Sequence, residues 1–234
     1  MNLVIDFGNT RIKAALFDES QLIAEYVYNS YDEFKNANHS YDYVIVSNVS
    51  YPESELRELL PKAIFVSSQL KMPFSSNYLT PHTLGVDRLA LTAGAVALRP
   101  ADDLLIIDMG TCITYDFIEQ GRIYKGGAIS AGLQLRAKAL HNFTHKLPLI
   151  TTIRESQLVG DSTDESIKSG LVNGITYEVE GFILSYMQKH PNIKVFLSGG
   201  DAKFFETKIK QSIFVVPNLA LLGLNKILQE NINE

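Results

Sequence analysis

One cysteine, Cys112, occurs in 234 residues, so no internal disulfide can form and no CxxC metal or redox motif exists. Positive charge is not in surplus: 21 Lys and Arg stand against 26 Asp and Glu, a net −5. Gripping a phosphate backbone needs a cationic face, so nucleic acid is not expected as a partner. Long apolar runs are missing too. Leu104–Ile107 and the Ala/Leu/Val-rich stretch 89–98 fall far short of the ~18 residues of a membrane span, so no membrane partner is expected. The chain opens Met-Asn and enters a strand without a basic segment before an apolar run. The expectation is therefore no signal peptide and a cytoplasmic location. No low-complexity tract or linker rich in Pro, Gly and Ser divides the sequence. Neither a P-loop with a GKS or GKT ending nor a GxGxxG is present, which leaves those nucleotide-binding folds unsupported.

What is there reads as an ordinary globular chain, 46% hydrophobic and 20% charged, long enough for two domains of about 100–120 residues. It also repeats itself. Leu3-Val-Ile-Asp6-Phe-Gly8-Asn9-Thr10 is answered by Leu105-Ile-Ile-Asp108-Met-Gly110-Thr111, and with one residue deleted the echo runs on to Leu22 and Ile123. Each copy reads as a buried strand, a tight acidic-glycine turn, a second strand, a polar turn and a third strand. A period of about a hundred residues is too long for a solenoid and fits a duplicated domain. The seam falls near Arg99–Asp103, giving domains 1–102 and 103–234.

Between the copies, strands and helices alternate. Strands are predicted at Tyr43–Ser47, Ala63–Val66, Val195–Leu197 and Ile213–Val216. Helices are predicted at Glu53–Leu60 behind Pro52, Asp87–Leu98, Leu133–Leu147, Ala202–Lys210 and Leu219–Gln229. Ser162-Thr-Asp-Glu165 is a capping box that opens a long helix reaching about His190. Gly126-Gly127 and Gly132 are expected to shape a turn before the helix from Leu133. The fold class is α/β, mixed sheets with flanking helices.

The turns carry the chemistry. At Asp6-Phe7-Gly8-Asn9-Thr10 an apolar strand delivers a carboxylate, Gly8 permits close backbone approach, and Asn9 and Thr10 add polar groups and N–H donors. Lys13 returns a cation to the same face. Such a set can hold a Mg-nucleotide, the carboxylate toward the metal's hydration shell and the amides and ammonium toward phosphate. Asp108, Gly110, Thr111 and Thr114 form the second copy. Either turn alone is equally explained as a turn; two matched copies favour nucleotide binding. Gly199-Gly200 could present amides to a nucleotide, or merely turn the chain. Asp87, in Thr83-Leu-Gly85-Val-Asp87-Arg88, is sufficiently explained as an N-cap or first-turn acid. Alternatively it accepts a hydroxyl proton while Arg88 binds an anion. His141 and His145 have no third metal ligand, and Cys112 reads as packed rather than nucleophilic.

Taken in order, these residues resemble the type III pantothenate kinases of the acetate and sugar kinase/Hsp70/actin superfamily. The resemblance rests on Asp6–Lys13, Gly85–Arg88, Asp108–Asp116, Tyr124–Gly127, Ala139–Pro148, Thr163–Gly170 and Ser198–Gly200, and spans nearly the whole chain. It implies duplicated ribonuclease H-like (actin-like ATPase) domains and ATP-dependent phosphorylation of pantothenate, the first step of coenzyme A synthesis. It makes Asp87 the proton acceptor. Asp6, Phe7, Gly8, Asn9, Thr10, Arg11, Lys13 and Thr111 become ATP contacts, and Tyr78, Gly85, Val86, Arg88 and Thr163 pantothenate contacts. Asp108 becomes the site of a monovalent cation, potassium or ammonium. Magnesium would travel with ATP, and the enzyme would be a homodimer. Two positions depart from the pattern: Val86 replaces a small alanine, and Ala131 replaces a proline before Gly132. Other kinases or phosphohydrolases of the superfamily would share the hairpins but not Gly85–Arg88 with Tyr78 upstream. A regulatory protein on this fold would be expected to lose the catalytic groups or gain a basic surface.

Overall fold

In the computed structural model, which describes residues 1–153 and 155–232, the elements follow one another as β1 (Asn2–Phe7), β2 (Ile12–Asp18), β3 (Gln21–Tyr28), α1 (Tyr31–Lys35), β4 (Tyr43–Asn48), α2 (Glu53–Leu59), β5 (Ile64–Phe65), β6 (Ser75–Ser76), α3 (Val86–Leu98), β7 (Leu104–Met109), β8 (Cys112–Glu119), β9 (Ile123–Ala131), α4 (Leu133–Asn142), α5 (Thr163–Lys189), β10 (Lys194–Ser198), α6 (Ala202–Glu206), β11 (Phe214–Val215) and α7 (Leu219–Ile232). Two mixed sheets result, ordered β3-β2-β1-β4-β5 and β11-β10-β7-β8-β9-β6. Compact contacts group Met1–Leu104, Asp116–Gly126 and the chain from Asn218 onward into one unit, and Leu105–Tyr115 with Gly127–Pro217 into another.

In the first sheet β1 runs antiparallel to β2 and parallel to β4. Side chains alternate across a strand, so Leu3, Ile5 and Phe7 share one face and Val4 and Asp6 the other. The first face closes on Val44, Val46, Phe34 of α1 and Leu56 of α2. Helices α3 and α7 pack against β4 and β1. These two helices cross with backbones touching: a Cβ on Gly94 would lie 2.1 Å from the Leu219 carbonyl oxygen, and one on Gly223 only 1.8 Å from that of Ala90. With strand β1 buried on both faces, an unbroken apolar run is what its sequence needs. Strand β7 has the same burial order, four buried residues, a half-buried Asp and a buried residue, so the echo in sequence is an echo in environment.

Several boundaries differ from the sequence expectation. Helix α4 stops at Asn142 instead of Leu147. There the Thr144 hydroxyl donates to the Leu140 carbonyl, and His141 Nδ1 lies 2.8 Å from the Leu147 carbonyl oxygen. Helix α6 ends at Glu206 rather than Lys210. Gly126 and Gly127 belong to strand β9, not to a turn. Gly126, at φ +93°, lies flat under the ring of Tyr78, where a Cβ would sit 3.2 Å from Cδ2. The capping box is seen in its Ser half: Ser162 Oγ accepts from the Glu165 amide, and α5 runs to Lys189 with His190 as C-cap.

Candidate active site

Strand β1 delivers Asp6 near its carboxyl end, with Lys13 opposite it on β2 and Ser47 opposite it on β4. Asp6 Oδ1 is shielded from water and accepts no hydrogen bond. Burial raises the Asp6 carboxyl above its ordinary value; the charge of Asp87 adds to this, while Ser47 and Lys13 pull the other way. The turn that follows, Gly8-Asn9-Thr10-Arg11, lines a cavity of about 310 Å³ together with Ile12, Asn29, Ser50 and Tyr51. Ser50 Oγ lies 3.1 Å from the Phe7 carbonyl oxygen and 3.0 Å from that of Gly8, so its one proton serves either and fixes the turn. Phe7 itself is buried, its ring edge-on to Phe34 and Tyr51. What it offers a ligand is backbone. Asn29, Ser50 and Tyr51 escape a reading by motif because they come from separate segments.

Asp87 is the second residue of α3, in the first turn rather than at the cap, which is Gly85. An acid there is favoured by the helix dipole. Its Oδ1 accepts from the Arg88 amide at 2.9 Å. Gly85 leaves room for this carboxylate in its present orientation: a Cβ at that position would fall 2.4 Å from Asp87 Oδ1. Val86 is half-buried beside it.

Arg88 is buried, 5% exposed, and its side chain meets Asp116 of β8, which is fully buried. Arg88 Nε lies 2.9 Å and Nη2 2.6 Å from Asp116 Oδ1, and Tyr124 Oη donates to the same oxygen at 2.5 Å. Burial would lower the Arg88 pKa, but the hydrogen bonds and charge of Asp116 outweigh it and keep the guanidinium charged. Burial, with Asp116 beside it, pushes the Tyr124 hydroxyl well up. Tyr78 completes the group, its ring centroid 5.9 Å from the Arg88 guanidinium carbon and 6.0 Å from the ring of Tyr124. The sequence reading passes over Asp116 and Tyr124 as site residues. The available signal is a lone acid inside the apolar strand Ile113–Ile118.

These residues, Asp6 through Lys13, Tyr78 and Gly85–Arg88, belong to the first unit; Asp108, Thr111 and Thr163 belong to the second. There Gly110 leaves open the space beside Asp108, since a Cβ would lie 3.1 Å from Asp108 Oδ2. The Gly110 amide donates to the Cys112 carbonyl, and the Gly132 amide to that of exposed Thr111. Cys112 is half-buried. Thr163 is exposed in the first turn of α5. Gly199, at φ +96°, lies against the Met109 backbone, which a side chain would strike at 2.5 Å. Arg136 donates from Nη2 to Glu178 and to Ser130 Oγ, and from Nε to the Ala131 carbonyl, while Tyr115 Oη donates to Glu178 at 2.8 Å. Among the described residues no three His, Cys, Asp or Glu side chains cluster as a metal cage.

The chain is similar over residues 2–185 to the model of the family described as type III pantothenate kinase. It is 43% identical to the type III pantothenate kinase of Christiangramia forsetii, covering 99% of both chains. It is 41% identical to that of Flavobacterium psychrophilum, over 98% of this chain and 99% of the other. The chain belongs to the type III pantothenate kinase family. A member of that family is a phosphotransferase. Solved structures agree on the fold. A Campylobacter jejuni chain named as a Baf family transcriptional activator superposes with a TM-score of 0.68 at 22% identity, covering 99% of this chain and 100% of that one. Component A of (R)-2-hydroxyglutaryl-CoA dehydratase from Acidaminococcus fermentans gives 0.53 at 14%, over 97% and 95%. The two mixed sheets and these superpositions agree with the ribonuclease H-like α/β fold that the family resemblance implies. Among the described residues no helix is long and apolar enough to cross a membrane.

Proposed function

We propose that this type III pantothenate kinase uses Asp87 as the proton acceptor in the ATP-dependent phosphorylation of pantothenate to 4′-phosphopantothenate, which opens coenzyme A synthesis. The observation that carries the assignment is the Asp87 carboxylate itself, held by its helix start and by the Gly85 gap, and near enough to Asp6 that its charge adds to the burial that raises the Asp6 carboxyl. The primary hydroxyl oxygen of pantothenate attacks the γ-phosphorus. Its bond to the bridging oxygen breaks, ADP leaves, and the hydroxyl proton passes to Asp87. Such transfer is chiefly placement plus charge neutralisation, and a positioned base supplies ~10²–10⁴-fold.

The remaining roles follow the residue chemistry. The turn Gly8–Arg11, braced by Ser50, with Asp6 and Lys13, takes the ATP phosphates, and Phe7 contributes backbone; in the second hairpin Thr111 holds the position that the family pattern assigns to ATP. Magnesium fits at Asp6, whose Oδ1 is a buried acceptor without a donor, a disposition suited to a metal-bound water. It would neutralise phosphate charge. Potassium or ammonium fits beside Asp108, where Gly110 leaves room. Tyr78, Gly85, Val86, Arg88 and Thr163 contact pantothenate. Domains divided at 102/103 match the repeat. A homodimer is supported by α5, where Gly170, Gly174, Tyr177, Gly181 and Leu184 recur at helical spacing; Tyr177 and Leu184 are 58% and 48% exposed, and a Cβ on any of the three glycines would meet open space. The cytoplasm is the compartment that suits such an enzyme.

The test is ATP turnover by the purified protein with and without pantothenate, in potassium and then in sodium buffer. Phosphorylated product that requires pantothenate and rises in potassium is the expected result. Phosphate release to water with no pantothenate dependence would sink the assignment.

A further inference from the structure

Arg88 is the one cation beside Asp87 in its own helical turn, and its side chain is held from within the protein. Its Nε–Nη2 edge is committed to Asp116, and Asp116 Oδ1 is in turn fixed by the Tyr124 hydroxyl. A guanidinium carries five N–H donors in a rigid planar fork. Clamping one edge fixes the plane of the whole group, whose central carbon lies 5.9 Å from the Tyr78 ring centroid, with the Tyr78 hydroxyl also bonding the guanidinium. We propose that Asp116 and Tyr124 are positioning residues that aim Arg88 at the carboxylate of pantothenate and so confer preference for a charged substrate. This rests on the reading of Arg88 as a pantothenate contact.

Stability alone does not account for the arrangement. A buried ion pair contributes little net stability compared with apolar residues of similar volume. Burying Arg88 with a fully enclosed Asp and a phenol makes physical sense where the orientation of the guanidinium matters. All three residues lie in the first unit, with the Asp87 turn.

The experiment compares kcat/KM for pantothenate with kcat/KM for its neutral primary amide. Tyr124→Phe keeps the ring and removes only the bond to Asp116 Oδ1. The expected result is a fall of about tenfold for pantothenate, carried by KM, as the guanidinium loses part of its preorganisation. Activity on the amide and KM for ATP should stay within about twofold. Asp116→Asn should act in the same direction and more strongly. Equal losses on both substrates in Tyr124→Phe would mean the network merely holds the fold, and the proposal fails. Arg88→Gln, which removes the charge and keeps a polar side chain, separates the premise from the proposal. If it leaves the charged-to-neutral preference intact, Arg88 does not read the carboxylate and both fall. If it erases the preference while Tyr124→Phe preserves it, the reading of Arg88 stands and only the positioning role is lost.

Discussion

Asp87 and Asp6 sit in one neighbourhood yet are predicted to answer mutation differently. Asp87 is held by a helix start and a backbone amide, so Asp87→Asn keeps the shape and the amide contact and removes the proposed base. Turnover should drop by ~10²–10⁴-fold, with ATP affinity by calorimetry close to that of the parent; unchanged turnover would take Asp87 out of the mechanism. Asp6 is an unfavourable place for a charge. Its folded pKa is raised, by burial first and by Asp87 next, so the folded state binds the proton more tightly than the unfolded one. Stability therefore declines as pH rises from the unfolded value through the raised folded value, because ionising the buried carboxyl opposes folding. Asp6→Asn should abolish ATP turnover while raising Tm by a few degrees, the gain of about 0.5–2 kcal/mol typical when a functional compromise is removed. A lower Tm at pH 7 would show that the carboxylate stabilises the fold. At this scale the sequence displays Asp6 and Asp87 because each stands in a short motif. It hides the bond from Arg88 to Asp116, because a contact 28 residues apart depends on where β8 and α3 lie and leaves no local spacing.

At the scale of elements, α3 and α7 are the tightest crossing described. Gly223→Ala would place a methyl 1.8 Å from the Ala90 carbonyl oxygen and 2.6 Å from the Gly94 amide nitrogen, a backbone clash that only a helix shift relieves. The expected loss is about 3 kcal/mol or more, on the order of 10 °C in Tm, read by calorimetry; a neutral result would mean the helices separate freely. In the second unit Glu178 of α5 joins Arg136 of α4, Tyr115 of β8 and Ser130 of β9. Burial alone would raise its carboxyl, but the bonds from Arg136, Tyr115 and Ser130 outweigh it and the carboxyl titrates below its ordinary value. That contribution is complete above the unfolded pKa and lost as pH falls through the depressed folded value. Glu178→Gln should thus lower the urea midpoint at pH 7 and shrink its fall between pH 7 and about pH 3.5; an unaltered acid slope would detach Glu178 from acid stability. Helix starts are legible here because caps are local, as with Ser162. Ends are less so. Past Asn142 the apolar spacing continues, yet the Thr144 and His141 contacts with Leu140 and Leu147 turn the chain. The pair Gly126-Gly127 looks like a turn in sequence and is a strand because Tyr78 covers Gly126, a tertiary contact.

For the molecule as a whole, the matched hairpins make duplication readable, since each must bury its strand and present its acid in the same way. Assembly is harder to read, because one apolar helix face looks like another until burial is known. In α5 the buried face runs through Ile167, Leu171, Ile175, Val179 and Ile183, while the stripe Gly170, Gly174, Tyr177, Gly181 and Leu184 faces away. Glycines in an exposed helix disfavour it by ~1 kcal/mol each relative to alanine, so three on one stripe are costly unless a second backbone approaches there. The two alternatives predict opposite signs. If the stripe meets only water, Gly174→Ala raises Tm by restoring helix propensity, and Gly174→Leu leaves the mass unchanged. If a second copy docks there, Gly174→Leu should convert a dimer to a monomer in sedimentation equilibrium, and Gly174→Ala should lower a concentration-dependent Tm. We expect the second pattern, with pantothenate turnover falling alongside the dimer because Thr163 stands at the start of the same helix. A monomeric parent protein, or a Gly174→Leu variant that stays dimeric, would remove α5 as the interface.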